Sequence, residues 1–270
     1  MYLHKTKNGH YTPPCCYFSG ELEVVEILRF GFCCKASDWS NCYTNGVPIY
    51  RITEENGWNL LLVSLRAHGE SGGNVSTLGV LEKYDCRDWV NWVVSEYGEQ
   101  TPIFLMGISM GGAVALMSSD LGLPESVCGI IDDAGFTSPL EMIKANSKEK
   151  IHHKILSDLF TQFVNVGTKI WGGFDLKEAN ACVAVSKTSV PVLIIHGDKD
   201  KQAPVSMAYK IYDSCKSERE LYIVSGSEHT DCYRSNPEKY ESIVSEFLKK
   251  HIPTTYRVLD PNGVKLRKRH

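Results

Sequence analysis

The chain has 270 residues, 43% hydrophobic, 23% charged and 10% aromatic, which is the balance of a globular protein rather than a disordered or fibrous one. Its 29 basic and 32 acidic residues leave a formal net charge of −3. That argues against nucleic acid as the main partner, because neutralising phosphates takes a basic field. The longest apolar runs, Leu60 to Val63 and Val190 to Ile195, fall far short of the ~20 residues a bilayer-spanning helix needs, so no stable membrane association is expected.

The opening Met1-Tyr2-Leu3-His4-Lys5 lacks the charged start and apolar run of a secretory signal, so a cytoplasmic location is expected. Five of the ten cysteines fall in the first fifty residues, where the pattern is irregular. No Cys-x-x-Cys occurs, and the adjacent pairs Cys15-Cys16 and Cys33-Cys34 suit a single zinc ion badly. Free thiols are expected, with no metal and no cofactor.

Apolar runs at 22–30, 59–65, 102–107, 127–132, 190–196 and 220–224 predict strands. Their near-continuous apolar character is that of parallel strands buried on both faces. Helices are predicted between them. The first spans 80–99, with Tyr84, Trp89, Trp92 and Val93 on a 3-4 spacing. The next covers 110–120. Prolines open the helices at 204–215 and 237–251, and the second ends in Lys249-Lys250-His251, which suits the negative end of a helix dipole. Residues 136–188 break the alternation. They contain no clear strand, and 140–148 and 152–166 look helical. This reads as an insertion, at 137–188, forming a small helical cap or lid on one α/β domain spanning 1–270. The basic ending at Lys265-Leu266-Arg267-Lys268-Arg269-His270 reads as a solvated tail.

The chemical signal is Gly107-Ile108-Ser109-Met110-Gly111-Gly112, set between the apolar Ile103-Phe104-Leu105-Met106 and the helix-compatible Ala113-Val114-Ala115-Leu116-Met117. Strand, sharp turn and helix form a nucleophile elbow, with glycines flanking the serine because larger residues would clash. A serine hydroxyl needs a base, and the base needs an orienting acid. His196-Gly197-Asp198-Lys199-Asp200 follows the fifth strand and offers two carboxylates; Asp200 is favoured over Asp198. Ser225-Gly226-Ser227-Glu228-His229 follows the last strand and puts His229 where the base must sit. His196 closes a buried strand and reads as a packing and hydrogen-bonding residue. His152 and His153 diverge on a helix and suit a metal badly. Backbone amides of Met110 and Phe32 are the expected oxyanion donors. Phe136 and Trp171 are candidate apolar walls for the substrate.

From about Glu54 to His251 the chain resembles the α/β-hydrolase superfamily, in its serine esterase and serine aminopeptidase-like branch. The resemblance rests on the serine elbow and on Leu65-Arg66-Ala67-His68-Gly69-Glu70-Ser71-Gly72-Gly73. It rests equally on Ile194 to Asp200 followed by Pro204, on Gly226-Ser227-Glu228-His229, and on Asp132-Asp133-Ala134-Gly135-Phe136-Thr137-Ser138-Pro139. It implies a mostly parallel central sheet flanked by helices and a Ser109, Asp200, His229 triad. That branch carries His-Gly before its first oxyanion donor, where this chain has Phe30-Gly31.

The expected activity is hydrolysis of a small-molecule carboxylic ester or other acyl substrate through an acyl-enzyme. A peptidase or amidase on the same triad and a non-catalytic binding protein on the same scaffold are the competing readings. Acyl transfer requires a neutral imidazole, so the rate is expected to fall below about pH 6.5. A pH–rate profile that stays flat down to about pH 5 would remove histidine from that role.

Overall fold

The computed structural model describes residues 16–17, 26–30, 52, 59–68 and 71–254. Among the described residues seven strands lie in one sheet: β1 (Cys16–Tyr17), β2 (Glu26–Phe30), β3 (Asn59–Val63), β4 (Ile103–Ile108), β5 (Val127–Asp133), β6 (Val192–Gly197) and β7 (Arg219–Val224). Their order across the sheet is β1-β3-β2-β4-β5-β6-β7. The short edge strand β1 runs antiparallel to β3, and every other pairing is parallel. The mostly parallel sheet read from the apolar runs is therefore the observed one.

Parallel strands need long crossovers, and helices supply them. They are α1 (Glu82–Tyr97), α2 (Met110–Ser118), α3 (Pro139–Lys150), α4 (Lys154–Gly167), α5 (Ala181–Val185), α6 (Ser206–Ser214), α7 (Cys232–Ser235) and α8 (Pro237–His251). Successive strand residues point to opposite faces of the sheet. Leu105, Ile130 and Ile194 accordingly pack with Val90 and Val93 of α1, Val114 of α2 and Ile211 of α6. Phe104, Met106, Ile131 and Leu193 pack on the other face with Tyr240, Val244 and Phe247 of α8.

The parallel register decides where the chemistry gathers. Gly107 pairs with Asp132, Asp132 with Ile194, and Ile194 with Leu221. The carboxyl ends of β4, β6 and β7 thus lie along one edge, which is where ligands bind in open α/β sheets.

Two boundaries differ from the sequence reading for a visible reason. The helix expected from Pro204 starts at Ser206, because the amides of Gln202 and Ala203 donate to Asp200 Oδ1 and hold a turn there. The helix expected from position 152 starts at Lys154, with His153 in extended backbone before it. Residues 136–188 contain no strand. Beyond the two expected helices they hold a π-helical turn at Thr168–Gly172, a 3-10 turn at Leu176–Glu178 and the short α5. The two ends of this insertion meet where the Ala181 amide donates to the Thr137 carbonyl at 2.7 Å. Phe32, with Gly31 before it, lies outside the described residues, as do Gly69 and Glu70.

Phe104 and Phe247 meet edge to face at 6.4 Å, over the space that Gly129 leaves open. Phe247→Ala is expected to cost about 3–5 kcal/mol through lost burial and a residual cavity, read as a lower midpoint in urea unfolding.

Candidate active site

Ser109 stands between β4 and α2 with φ 55° and ψ −118°, a conformation an L-residue adopts only when its surroundings impose it. Its amide donates to the Asp133 carbonyl at 2.7 Å, and its carbonyl accepts from the Ala113 amide at 3.0 Å. Both ends of the residue are therefore fixed. A Cβ on Gly107 would overlap the backbone of Gly111, and one on Gly112 would overlap Asp132 Oδ1. These glycines let α2 descend onto the sheet, and every residue of α2 is buried as a result. Met110 is the first residue of α2, so its amide has no intrahelical acceptor and lies at the positive end of the helix dipole.

Ser109 Oγ lies 2.8 Å from His229 Nε2. His229 Nδ1 lies 2.7 Å from Asp200 Oδ2. With Asp200 ionised, Nδ1 carries the proton and donates it, which leaves Nε2 to accept from the serine hydroxyl. Asp200 Oδ1 accepts from the amides of Gln202 at 2.9 Å and Ala203 at 2.8 Å. His196 is fully buried; its Nε2 donates to the Ala203 carbonyl at 2.7 Å and sits 3.3 Å from Asp200 Oδ2. Burial works to raise the Asp200 pKa, but the hydrogen bonds from His196 and His229 outweigh it and bring it down to about 2. Burial alone would lower the His196 pKa; Asp200 and the Ala203 carbonyl outweigh that and leave it raised. The histidine read from sequence as a hydrogen-bonding residue is a direct partner of the acid.

Asp198 is placed elsewhere. It accepts from the Gly226 amide at 2.7 Å and from Ser225 Oγ at 3.3 Å, and so ties the loop after β6 to the loop after β7. Phe136 is buried in the same core cluster as Met110 and the rest of the apolar side chains of α2. Trp171, a candidate wall, is 80% exposed on the outside of the insertion. That exposure fits a contact outside the fold better than the wall of an enclosed pocket. His152 and His153 are exposed. Among the described residues one cluster of metal-ligating type exists, Glu218, Glu220 and His251. It sits at the amino end of β7, away from the triad, and Lys250 Nζ lies 2.6 Å from both glutamates, so an ammonium already occupies it.

The sequence reading missed the acidic floor beneath the elbow. Asp133 Oδ2 accepts from Tyr240 OH at 2.8 Å and links β5 to α8. Asp132 is fully buried, pressed between Gly112 and Gly135, and among the described residues neither of its oxygens meets a donor in hydrogen-bond geometry. Two carboxylates ending an apolar strand were the available signal.

These features have counterparts in known proteins. Residues 49–183, half of the chain, match the model of the alpha/beta hydrolase fold. The chain belongs to the α/β-hydrolase family. The uncharacterized protein YqkD of Bacillus subtilis is 28% identical over 204 residues, which cover 76% of this chain and 66% of that protein. The uncharacterized protein YfhR of Escherichia coli is 23% identical over 192 residues and is covered over 58% of its length, so this chain spans less than two thirds of both. Monoglyceride lipase of Rattus norvegicus is 25% identical over 209 residues, 66% of this chain and 68% of that protein. Among solved structures, esterase Pf2001 of Pyrococcus furiosus aligns with TM-score 0.70 at 22% identity, over 93% of this chain and 92% of its own. That likeness is one of fold.

The α/β-hydrolase core carries a pH-dependent weakness at Asp132. Burial pushes its pKa up to about 7; His196 partly offsets this and Asp133 adds to it. The unfolded carboxyl titrates near ~3.9, so the folded state binds the extra proton between about pH 4 and 7, and this group's contribution to stability is lost as pH rises through that window. Asp132→Asn keeps the shape and removes the charge. It is expected to raise the melting temperature more at about pH 8 than at about pH 4. Equal shifts in the two thermal scans would contradict the assignment.

Proposed function

We propose that this α/β-hydrolase cleaves carboxylic esters of small molecules through an acyl-enzyme formed on Ser109. The observation that carries the reading is the unbroken run from Ser109 Oγ to His229 Nε2 at 2.8 Å and from His229 Nδ1 to Asp200 Oδ2 at 2.7 Å. Ser109 attacks the ester carbonyl while His229 takes its proton. His229 then returns the proton to the leaving alcohol. Asp200, ionised throughout the neutral range, holds the productive tautomer and stabilises the imidazolium. Water, deprotonated by the same histidine, releases the acid. The tetrahedral oxyanion faces the Met110 amide at the start of α2. Phe32 is our choice for the second donor, and Phe136 for an apolar wall near the acyl group.

Two similar proteins support an ester as the bond: one is a monoglyceride lipase and one structural neighbour is an esterase. The acidic residues of the insertion give no comparable support to an N-terminal peptide substrate. Of Glu141, Glu149 and Asp158, Glu141 pairs with Lys210 at 2.8 Å and Asp158 with Lys144 at 2.6 Å, and Glu149 stands between Lys148 and Lys150 in the chain.

The test is labelling of the full chain with a fluorophosphonate, peptide mapping of the adduct, and assay on p-nitrophenyl esters beside aminoacyl anilides. We expect the label on Ser109 and turnover of the esters. Ser109→Ala should abolish both, and Asp200→Asn should lower kcat by about 10⁴-fold through the wrong imidazole tautomer. Folded protein with neither adduct nor turnover would favour a non-catalytic binder. Faster turnover of the anilides would move the bond from ester to amide.

A further inference from the structure

Helix α4 is amphipathic the wrong way round for a helix that packs on a core. A surface helix normally turns its apolar stripe inward. Here the inward positions, one turn apart, are Ser157, Thr161 and Asn165, all buried. Their polar groups are satisfied locally. Ser157 Oγ pairs with Ser147 Oγ of α3, Thr161 Oγ1 donates to the Ser157 carbonyl at 2.8 Å, and Asn165 Oδ1 accepts from the Leu176 amide at 3.0 Å. The outward face carries Ile155, Leu156, Leu159, Phe160, Phe163 and Val166, all exposed. Ile170 and Trp171 of the π-helical turn extend it. Phe163 is 70% exposed. The stripe runs for about 25 Å at 1.5 Å per residue. Isolated exposed leucines are ordinary, but a contiguous aromatic and aliphatic stripe of this length marks a binding surface.

Charge identifies the occupant. The segment leading into α4 reads Lys148-Glu149-Lys150-Ile151-His152-His153-Lys154, three lysines and two histidines against one glutamate, and apart from Ile151 all of it is exposed. The acids elsewhere on the insertion are largely spoken for. Lys144 holds Asp158, Lys169 holds Asp175 and Lys210 holds Glu141. A second copy of the chain would bring the same basic cluster and no matching acidic surface on this face. A layer of anionic headgroups over an apolar interior meets both requirements at once, as it does for helices that lie in the membrane interface.

We propose that α4 and the following π-helical turn form a peripheral docking face for an anionic lipid surface, with Phe160, Phe163 and Trp171 entering the interface and Lys148, Lys150 and Lys154 contacting headgroups. The proposal departs from the expectation of no stable membrane association, since attachment from one side needs no spanning helix. No helix among the described residues is long and apolar enough to cross a membrane. Docking would also present the candidate active site to the surface from a fixed direction, because α3 is tied to the acid loop where Asn146 Nδ2 donates to the Gln202 carbonyl at 3.0 Å. The inference stands independently of the ester reading, since binding needs no turnover.

The test is co-sedimentation of the full chain with phosphatidylcholine vesicles, with and without about one-third phosphatidylserine, at low and high salt. The chain is expected to pellet with the anionic vesicles at low salt and much less at high salt or with neutral vesicles. Leu159→Glu with Phe163→Glu should weaken binding about tenfold or more, and so should Lys148→Glu with Lys150→Glu. All four positions are exposed, and unchanged circular dichroism melting would certify that the variants fold. Three results would overturn the proposal: wild type left in solution with both vesicle types, variants that pellet as wild type does, or equal pelleting with neutral and anionic vesicles. Light scattering provides the decisive contrast with self-association. A concentration-dependent dimer that Leu159→Glu with Phe163→Glu disperses, in a chain that ignores vesicles, would assign the face to a second copy.

Discussion

The backbone of Ser109 is the constraint from which the site follows. At φ 55° the residue would relax if it could, and it is prevented at both ends by hydrogen bonds to Asp133 and Ala113. The same turn requires the absence of side-chain volume at Gly107 and Gly112, since a Cβ at either would strike Gly111 or Asp132. Strain held by packing on several sides is stable only in a rigid frame. The frame is β4, buried between two helical layers, with α2 sunk completely into the interior behind it. The orientation of the hydroxyl toward His229 is therefore a product of sheet and helix packing rather than of the loop alone.

Asp200 organises the other half. It receives two backbone amides on one oxygen and His229 with His196 on the other. A buried carboxylate left short of donors holds its proton more tightly, as the raised pKa of Asp132 on β5 illustrates. The pKa of Asp200 in the loop after β6 and that of Asp132 on β5 thus move in opposite directions, because Asp200 has four donors within reach and Asp132 has none in bonding geometry among the described residues. The turn that supplies the amides is the one that delays the start of α6 to Ser206, so a shift in an element boundary and the ionisation of the acid have a single cause.

The insertion obeys a different rule from the rest of the molecule. In the sheet and its helices, apolar residues face inward and set the fold. In α4 small hydroxyl and amide side chains face inward, where they can bond to a neighbouring helix and a turn, and the apolar face is left outside. Such an arrangement loses the burial that normally holds a helix in place. A contact beyond the fold would supply the missing burial, which is the physical ground for the proposed interface.

The sequence by itself determined the layered architecture and the chain order of the candidate triad residues. Apolar runs such as 192–195 have one stable environment, a strand buried on both faces, and their alternation with helical spacing leaves parallel pairing as the consistent arrangement. The glycines at 107 and 111 marked the elbow because only residues without side chains tolerate that approach. Tertiary structure decided the rest. The sequence favoured Asp200 over Asp198 by its place before a helix, but it could not supply their partners; the packing of the loops after β6 and β7 sends Asp198 to the Gly226 amide and Asp200 to His229. Helical periodicity found α4 but could not say which face would turn inward, because Ser157, Thr161 and Asn165 find their partners only once α3 and the turn at Leu176 are in place. Local spacing fixes which residues share a face, whereas the surroundings of that face depend on segments distant in the chain.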